Sequence, residues 1–461
     1  MRFSAMKNNL ALFVLPFICL FSSCNEEIKS FEWKKEDNYT MELTGFDKDV
    51  MPISGYSGPS FSGVGATWDN PTTLKDEDVK KMWVDAKEAG FNTMYTLYWA
   101  ERIYSESDIR YDEIHNNIIK NLSFADEVGL KYVVMDYVFD EYIEKNDVDG
   151  YREYIQKTGY LDHESFLGFV GKDEPTYDDF DILCERERMM EQVLPNYLFS
   201  GNLLPEYVDR SILYGHPYEN YIDDYIEQVR PRYVSYDFYA PIGRFPQMRD
   251  NYFYQLALIK EKCDKHGLPF WNFVLTSEHY DYRLITDAEL YWQINTSLAY
   301  GVKGIQYFNF RTPLGDDYMR RGGSIINEYG ERTTLFEAAK RINGYISTID
   351  EILMNSSQLL TIGRGNNPCY FYYHEEENKE FRELKDVNVT SGGVVVGCFD
   401  HQGKTVLFVS SNDVENSSAV SLSFSNKIKA NLIWMDETKE AVGKNISLNI
   451  KPGEAYLVEI L

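Results

Sequence analysis

Four passages of this chain share one grammar: a helix-forming segment, a glycine, then a short apolar run. Lys87-Glu88-Ala89-Gly90 leads into residues 91–95, and Asp126-Glu127-Val128-Gly129 into 130–136. Asp264-Lys265-His266-Gly267 leads into 268–274, and Leu298-Ala299-Tyr300-Gly301 into 302–308. Glycine takes the left-handed conformation that ends a helix without a Cβ penalty, and the run that follows suits a strand covered on both faces. The preceding segments have a helical period, with Val79, Met82, Trp83 and Ala86 on one face and Ile114, Ile118 and Leu122 on another. Ser107-Asp108 is a candidate cap for the second helix.

Further strands are predicted at 63–66, 166–170, 197–199 and 233–236, which brings the number to eight. Eight strands alternating with helices predict an α/β fold, a (β/α)8 TIM barrel over residues 51–356 whose last helix spans 335–354. A doubly wound sheet is the alternative, but no Gly-x-Gly-x-x-Gly turn or phosphate-binding loop supports one. After the barrel the pattern becomes short alternating strands with turn residues between them, such as 394–398 and 405–409. Residues 357–461 are therefore predicted to form a small C-terminal β-sandwich.

The first 23 residues are read as an export signal. Arg2 and Lys7 precede an apolar stretch, 10–20, too short for a stable membrane span, and Ser22-Ser23-Cys24 follows. The segment resembles a bacterial lipoprotein signal, which implies a lipid on Cys24; an ordinary cleaved signal peptide is the alternative. Asn25-Glu26-Glu27 resembles the acidic export signal of surface lipoproteins. The implied location is the outer membrane, at the cell surface or facing the periplasm, with residues 24–50 as an acidic tether.

A formal net charge of −27 argues against nucleic acid as a partner, since phosphates would be repelled. No His-x-x-x-His or Cys-x-x-Cys pair exists, so neither a metal site nor another cofactor is predicted. Cys369 and Cys398 are candidates for a bridge, although buried free thiols suit the composition better. Aromatic residues make up 15% of the chain, with 36 tyrosines, and the faces of sugar rings stack on such side chains.

In a barrel, chemistry belongs to the C-terminal strand ends. Here those ends carry carboxylates, amides and aromatics, which suits a neutral, hydroxyl-rich ligand. The most informative is Phe169-Val170-Gly171-Lys172-Asp173-Glu174-Pro175, an apolar strand that stops in a charged pair before a proline. Glu278, in Ser277-Glu278-His279 after strand seven, faces Glu174 across a barrel. One protonated and one ionised carboxylate flanking a sugar are what glycoside hydrolysis requires. Asp237, after strand six, is the rival partner. Asp173, Asn202, Tyr239, Trp68, Trp99 and Tyr137 are the candidate substrate contacts.

Strand–Asp-Glu-Pro at position four, a carboxylate at position seven and a following β-sandwich resemble clan A glycoside hydrolases, in particular their β-galactosidase-like group. Residues 289–305 and Arg341-Ile342-Asn343 resemble the last helix–strand passage of that group and the helix after it. The resemblance implies Glu174 as acid/base, Glu278 as nucleophile and retention of configuration. Where the clan usually has Asn before the acid/base, this chain has Asp173. A surface glycan-binding lipoprotein with a degenerate barrel is the competing expectation.

Overall fold

Eight short parallel strands pair side by side in the computed structural model, which describes residues 42–96, 101–314, 322–365, 381–435 and 437–461. They are β1 (Ile53–Gly55), β2 (Thr93–Tyr95), β3 (Lys131–Val134), β4 (Phe166–Asp173), β5 (Leu198–Asn202), β6 (Val234–Asp237), β7 (Phe270–Leu275) and β8 (Ile305–Phe308). Their order is β5-β4-β3-β2-β1-β8-β7-β6. The ends of that series meet through a parallel bridge between Leu203 and Tyr236, where the Leu203 N–H donates to the Ser235 carbonyl at 2.7 Å. The sheet therefore closes into the expected barrel, with no open edge.

The helices are α1 (Asp76–Glu88), α2 (Tyr111–Val128), α3 (Phe139–Glu144), α4 (Val148–Thr158), α5 (Phe180–Val193), α6 (Tyr218–Val229), α7 (Tyr252–His266), α8 (Asp287–Ala299) and α9 (Leu335–Met354). The apolar faces read from the sequence of α1 and α2 are buried. Gly129 and Gly267 end α2 and α7 at φ of 66° and 70°, the left-handed cap that the repeated grammar implied.

Two expectations need correction. The first strand is Ile53–Gly55, not 63–66. Residues 51–60 are buried throughout, and Ser54 and Gly55 pair with both neighbours, whereas 63–66 carries two glycines, one at φ 82°, and runs as a loop. The cap of α2 is Arg110; the Asp108 carboxylate instead accepts the N–H groups of Tyr104 and Ser105 at 2.9 and 3.0 Å. Residues 138–165, between β3 and β4, fold largely into α3 and α4.

The C-terminal strands are β9 (Ser357–Gly365), β10 (Leu384–Ser391), β11 (Gly393–His401), β12 (Lys404–Ser411), β13 (Ser418–Trp434), β14 (Glu437–Ile450) and β15 (Ala455–Ile460). They form an antiparallel sheet that curls over its own core, consistent with the expected sandwich. Alternation sorts its side chains. Val394, Val396, Cys398, Leu407 and Val409 point into that core, while Val395, Phe399, Val406 and Phe408 join the barrel's core. The barrel element they meet is α8, whose residues 289–299 are all buried. Trp292 Nε1 donates to Asn412 at 2.8 Å and Asn295 Nδ2 to the Gly453 carbonyl at 2.8 Å. Cys398 is buried; Cys369 lies outside the described residues.

Candidate active site

The site is built around an irregularity in β4. Val170 pairs with Ser200 and Lys172 with Gly201, so Gly171 is an extra residue in the strand. A Cβ at Gly171 would sit 2.5 Å from the Ser200 carbonyl, which leaves room for glycine alone. Two residues later the strand stops. Glu174 takes a left-handed backbone with φ 47°, uncommon for a residue with a side chain and more so before proline. Such a conformation costs about 1–3 kcal/mol. It is held by the Glu174 N–H, which donates to the Asn202 carbonyl at 2.8 Å.

The irregularity brings neighbouring carboxylates together. In a regular strand Asp173 and Glu174 would face opposite sides. Here the charges of both reach Asp237 at the end of β6, so all three share the barrel mouth. Asp173 and Glu174 meet solvent but are densely surrounded by protein, which places them on the floor of an open mouth. Asn202 ties the strands together: its Nδ2 donates to Asp173 Oδ1 at 3.2 Å, and its Oδ1 accepts from Ser235 Oγ at 3.1 Å.

Crowding by protein, then the charge of Asp173, pushes the Glu174 carboxyl up to about 7. Crowding also raises Asp173, but the Asn202 donor and the cations Arg102 and Lys172 oppose the rise. Of the two neighbours, Asp173 is therefore the better home for a negative charge and Glu174 for a proton. Asp237, nine-tenths buried, is raised well above the usual carboxylate range by burial, then by Glu174 and Asp173, with Tyr239 and Asn202 opposing. Its Oδ1 has no hydrogen-bond partner among the described residues.

Glu278 is half-buried, three residues beyond β7, and its N–H donates to the Gly322 carbonyl at 3.2 Å. A Cβ at Gly322 would lie 3.3 Å from Glu278 Oε2, so the glycine gives that carboxylate space. His279 is buried and its ring pKa is lowered by burial, so it is neutral near pH 7.

Tyr137 is half-buried near Asp173 and stacks on the half-exposed Tyr104, with ring centroids 5.5 Å apart and planes at 16°. Burial pushes its hydroxyl up to about 12, with Arg102 opposing. Tyr239 is packed edge-on to Tyr282 and stacked on Phe308, so its ring is part of the core and its hydroxyl is the group near Asp237. Trp68 lies on the same side in the β1–α1 connection, under the Arg110 guanidinium at 5.1 Å. Trp99 and Cys24 lie outside the described residues.

Sequence reasoning missed Arg102 and Tyr104, which reach the mouth from the connection after β2. The one available signal was an Arg and a Tyr soon after a strand end. Asn309 and Arg311, just beyond β8, are buried struts. Asn309 Oδ1 accepts from Ser57 Oγ at 2.8 Å, and Arg311 donates to the Ser62 carbonyl at 2.9 Å.

Neither a protein-family profile nor a curated protein matches the sequence. Solved structures do match. A glycoside hydrolase family 5 protein from Bacteroides vulgatus is similar with a TM-score of 0.56 at 9% identity, over 91% of this chain and 93% of that one. A catalytic mutant of Gan42B, a GH42 β-galactosidase from G. stearothermophilus, is similar with a TM-score of 0.51 at 10% identity, over 91% of this chain and all of that one. At such identities the likeness establishes the fold alone, an eight-stranded parallel barrel covered by helices.

Proposed function

We propose that the protein is a glycoside hydrolase acting on a neutral oligo- or polysaccharide, with Glu174 as its general acid. The observation that carries this is the mouth of β4: a strained backbone holds Glu174 beside Asp173, and its carboxyl keeps a proton up to about pH 7. A carboxylic acid of that kind protonates a glycosidic oxygen as the bond to C1 breaks, and later takes a proton from the incoming water.

For the second group there are two candidates. The resemblance gives Glu278 the part of nucleophile, which would mean retention and a separation of roughly 5–5.5 Å from the acid. The carboxylates electrically tied to Glu174 are Asp173 and Asp237. An Asp237 base would require roughly 6.5–9.5 Å and inversion. Tyr137, stacked on Tyr104, offers a ring near Asp173, suited to the apolar face of a sugar.

The test is sugar release from a broad panel of plant, host and microbial glycans, with Glu174→Gln beside the wild type. Loss of roughly 10²–10⁴-fold in turnover with binding retained is the expected result. Binding by both proteins without release from any glycan would instead mean a surface glycan-binding protein. The Ser22-Ser23-Cys24 signal supports attachment to the outer membrane through a lipid on Cys24. Metabolic labelling with a fatty acid, lost in Cys24→Ala, checks it.

A further inference from the structure

We propose that the mouth binds a chain of several sugars across Glu174 and cuts it internally, with ring stacks on both flanks of the acid. The proposal rests on Glu174 being the acid. Its basis is where the exposed aromatic rings lie. Among the described residues these are Tyr104, Tyr214, Phe245, Tyr280 and Tyr329. Each sits in a connection that leaves the C-terminal end of a barrel strand, after β2, β5, β6, β7 and β8 respectively. Exposed aliphatic side chains are not so confined: Val84 is on α1, Leu359 on β9 and Val442 on β14. Apolar exposure is thus spread over the molecule, but flat ring faces, the surfaces that sugars stack on, are kept to the mouth.

Two of these rings bracket Glu174. On the β3 side, Tyr104 stacks on the half-buried Tyr137, with centroids 5.5 Å apart and planes at 16°. Tyr137 in turn lies within reach of the Asp173 charge. On the β5 side, Tyr214 packs against Tyr177, three residues beyond Glu174, with centroids 6.3 Å apart. Tyr177 is fixed by its own contacts: its hydroxyl donates to Asp224 at 2.9 Å, and its ring meets that of His216 at 4.9 Å. The Tyr214 hydroxyl donates to Asp178. Rings held this way lose little freedom when a sugar covers them. Because β3, β4 and β5 are consecutive neighbours in the sheet, the acid lies between the two stacks.

An enzyme that releases single terminal sugars closes one flank of its acid, so that one sugar fills the space. Here each flank offers a ring, so sugars bind on both sides of the bond to be cut. The sum of the reaction is water adding across an internal C1–O bond, with OH going to C1 and H to the leaving oxygen. Both products are shorter chains.

The experiment follows soluble mixed-linkage β-glucan, glucomannan, galactan and xylan by viscosity and by new reducing ends. Wild type is run beside Tyr104→Ala, Tyr214→Ala, Tyr104→Phe and, as a control on the β8 side, Tyr329→Ala. For any polysaccharide that is cleaved, viscosity should collapse while few reducing ends have formed, and the products should be oligosaccharides. Tyr104→Ala and Tyr214→Ala should each lower kcat/KM on that chain by roughly 3–10-fold, with a smaller loss on the 4-nitrophenyl glycoside of its sugar and the melting temperature kept. Tyr104→Phe, which keeps the ring, and Tyr329→Ala should stay near wild type. Single sugars released from the start with viscosity held, or cleavage of nitrophenyl glycosides but of no polysaccharide, would overturn this inference and leave the glycosidase reading standing. So would alanine variants that match wild type on the chain. If nothing is cleaved here or on the panel above, the glycosidase reading falls, and this inference falls with it.

Discussion

Two polar regions of this molecule are built on opposite rules. Along the seam between α8 and the C-terminal sheet, neutral donors meet acceptors: the Trp292 indole meets Asn412, and the Asn295 amide meets the Gly453 carbonyl. At the barrel mouth, acceptor is set against acceptor: the charge of Asp173 helps raise Glu174, and both help raise Asp237. The first arrangement stabilises the fold. The second lowers stability and is kept only where a ligand or a proton completes it, so the contrast locates function without any bound molecule.

The sharpest way to break the comparison is Glu174→Gln. Activity should fall by roughly 10²–10⁴-fold, with thermal stability kept or slightly improved. A large loss of stability instead would make Glu174 a structural residue and erase the difference between the two regions. Trp292→Ala should do the reverse. It should cost about 3–5 kcal/mol of unfolding free energy by denaturant titration, with specific activity of the folded protein intact.

Smaller effects refine the mouth. Gly171→Ala pushes a methyl against the Ser200 carbonyl and should cost about 1–3 kcal/mol. Activity should fall further than stability alone explains, because Asp173 and Glu174 are displaced. Asp237 has a raised folded-state pKa, so its cost is absent below about pH 4, where the carboxyl is protonated in both states, and grows as pH rises. Asp237→Asn should therefore stabilise by about 0.5–2 kcal/mol near pH 7 and not at all below about pH 4.

The alkaline limb of kcat/KM should fall away as pH rises through about 7, where Glu174 loses its proton. If Asp173→Asn retains measurable activity, that limb should move to lower pH. Removing a like charge makes Glu174 easier to ionise.

Much of the scaffold could be read directly. The helical faces of α1 and α2, the span of α9 and the caps at Gly129 and Gly267 are patterns held within a window of a dozen residues. The first strand was misplaced because 63–66 and 53–55 look alike locally. Only pairing with β2 and β8 separates them. Glu174 was legible because a strand ending in Asp-Glu-Pro announces its own boundary. Arg102 and Tyr104 were not, since nothing near them in sequence shows which side of the barrel their loop visits.

By itself, then, the sequence determined the order of elements, the change from barrel to sheet near residue 357, and the carboxylates at the strand ends. These follow from side-chain periodicity, from glycine's freedom at positive φ and from proline's missing donor. Only the tertiary structure decided which carboxylates meet. Closure of β5 onto β6 sets Asp237 near Asp173 and Glu174, and the left-handed backbone at Glu174, held by the Asn202 carbonyl of β5, turns two neighbours toward one mouth. Both depend on contacts between segments far apart in the chain, and an electrostatic field is set by distance in space, not along the sequence.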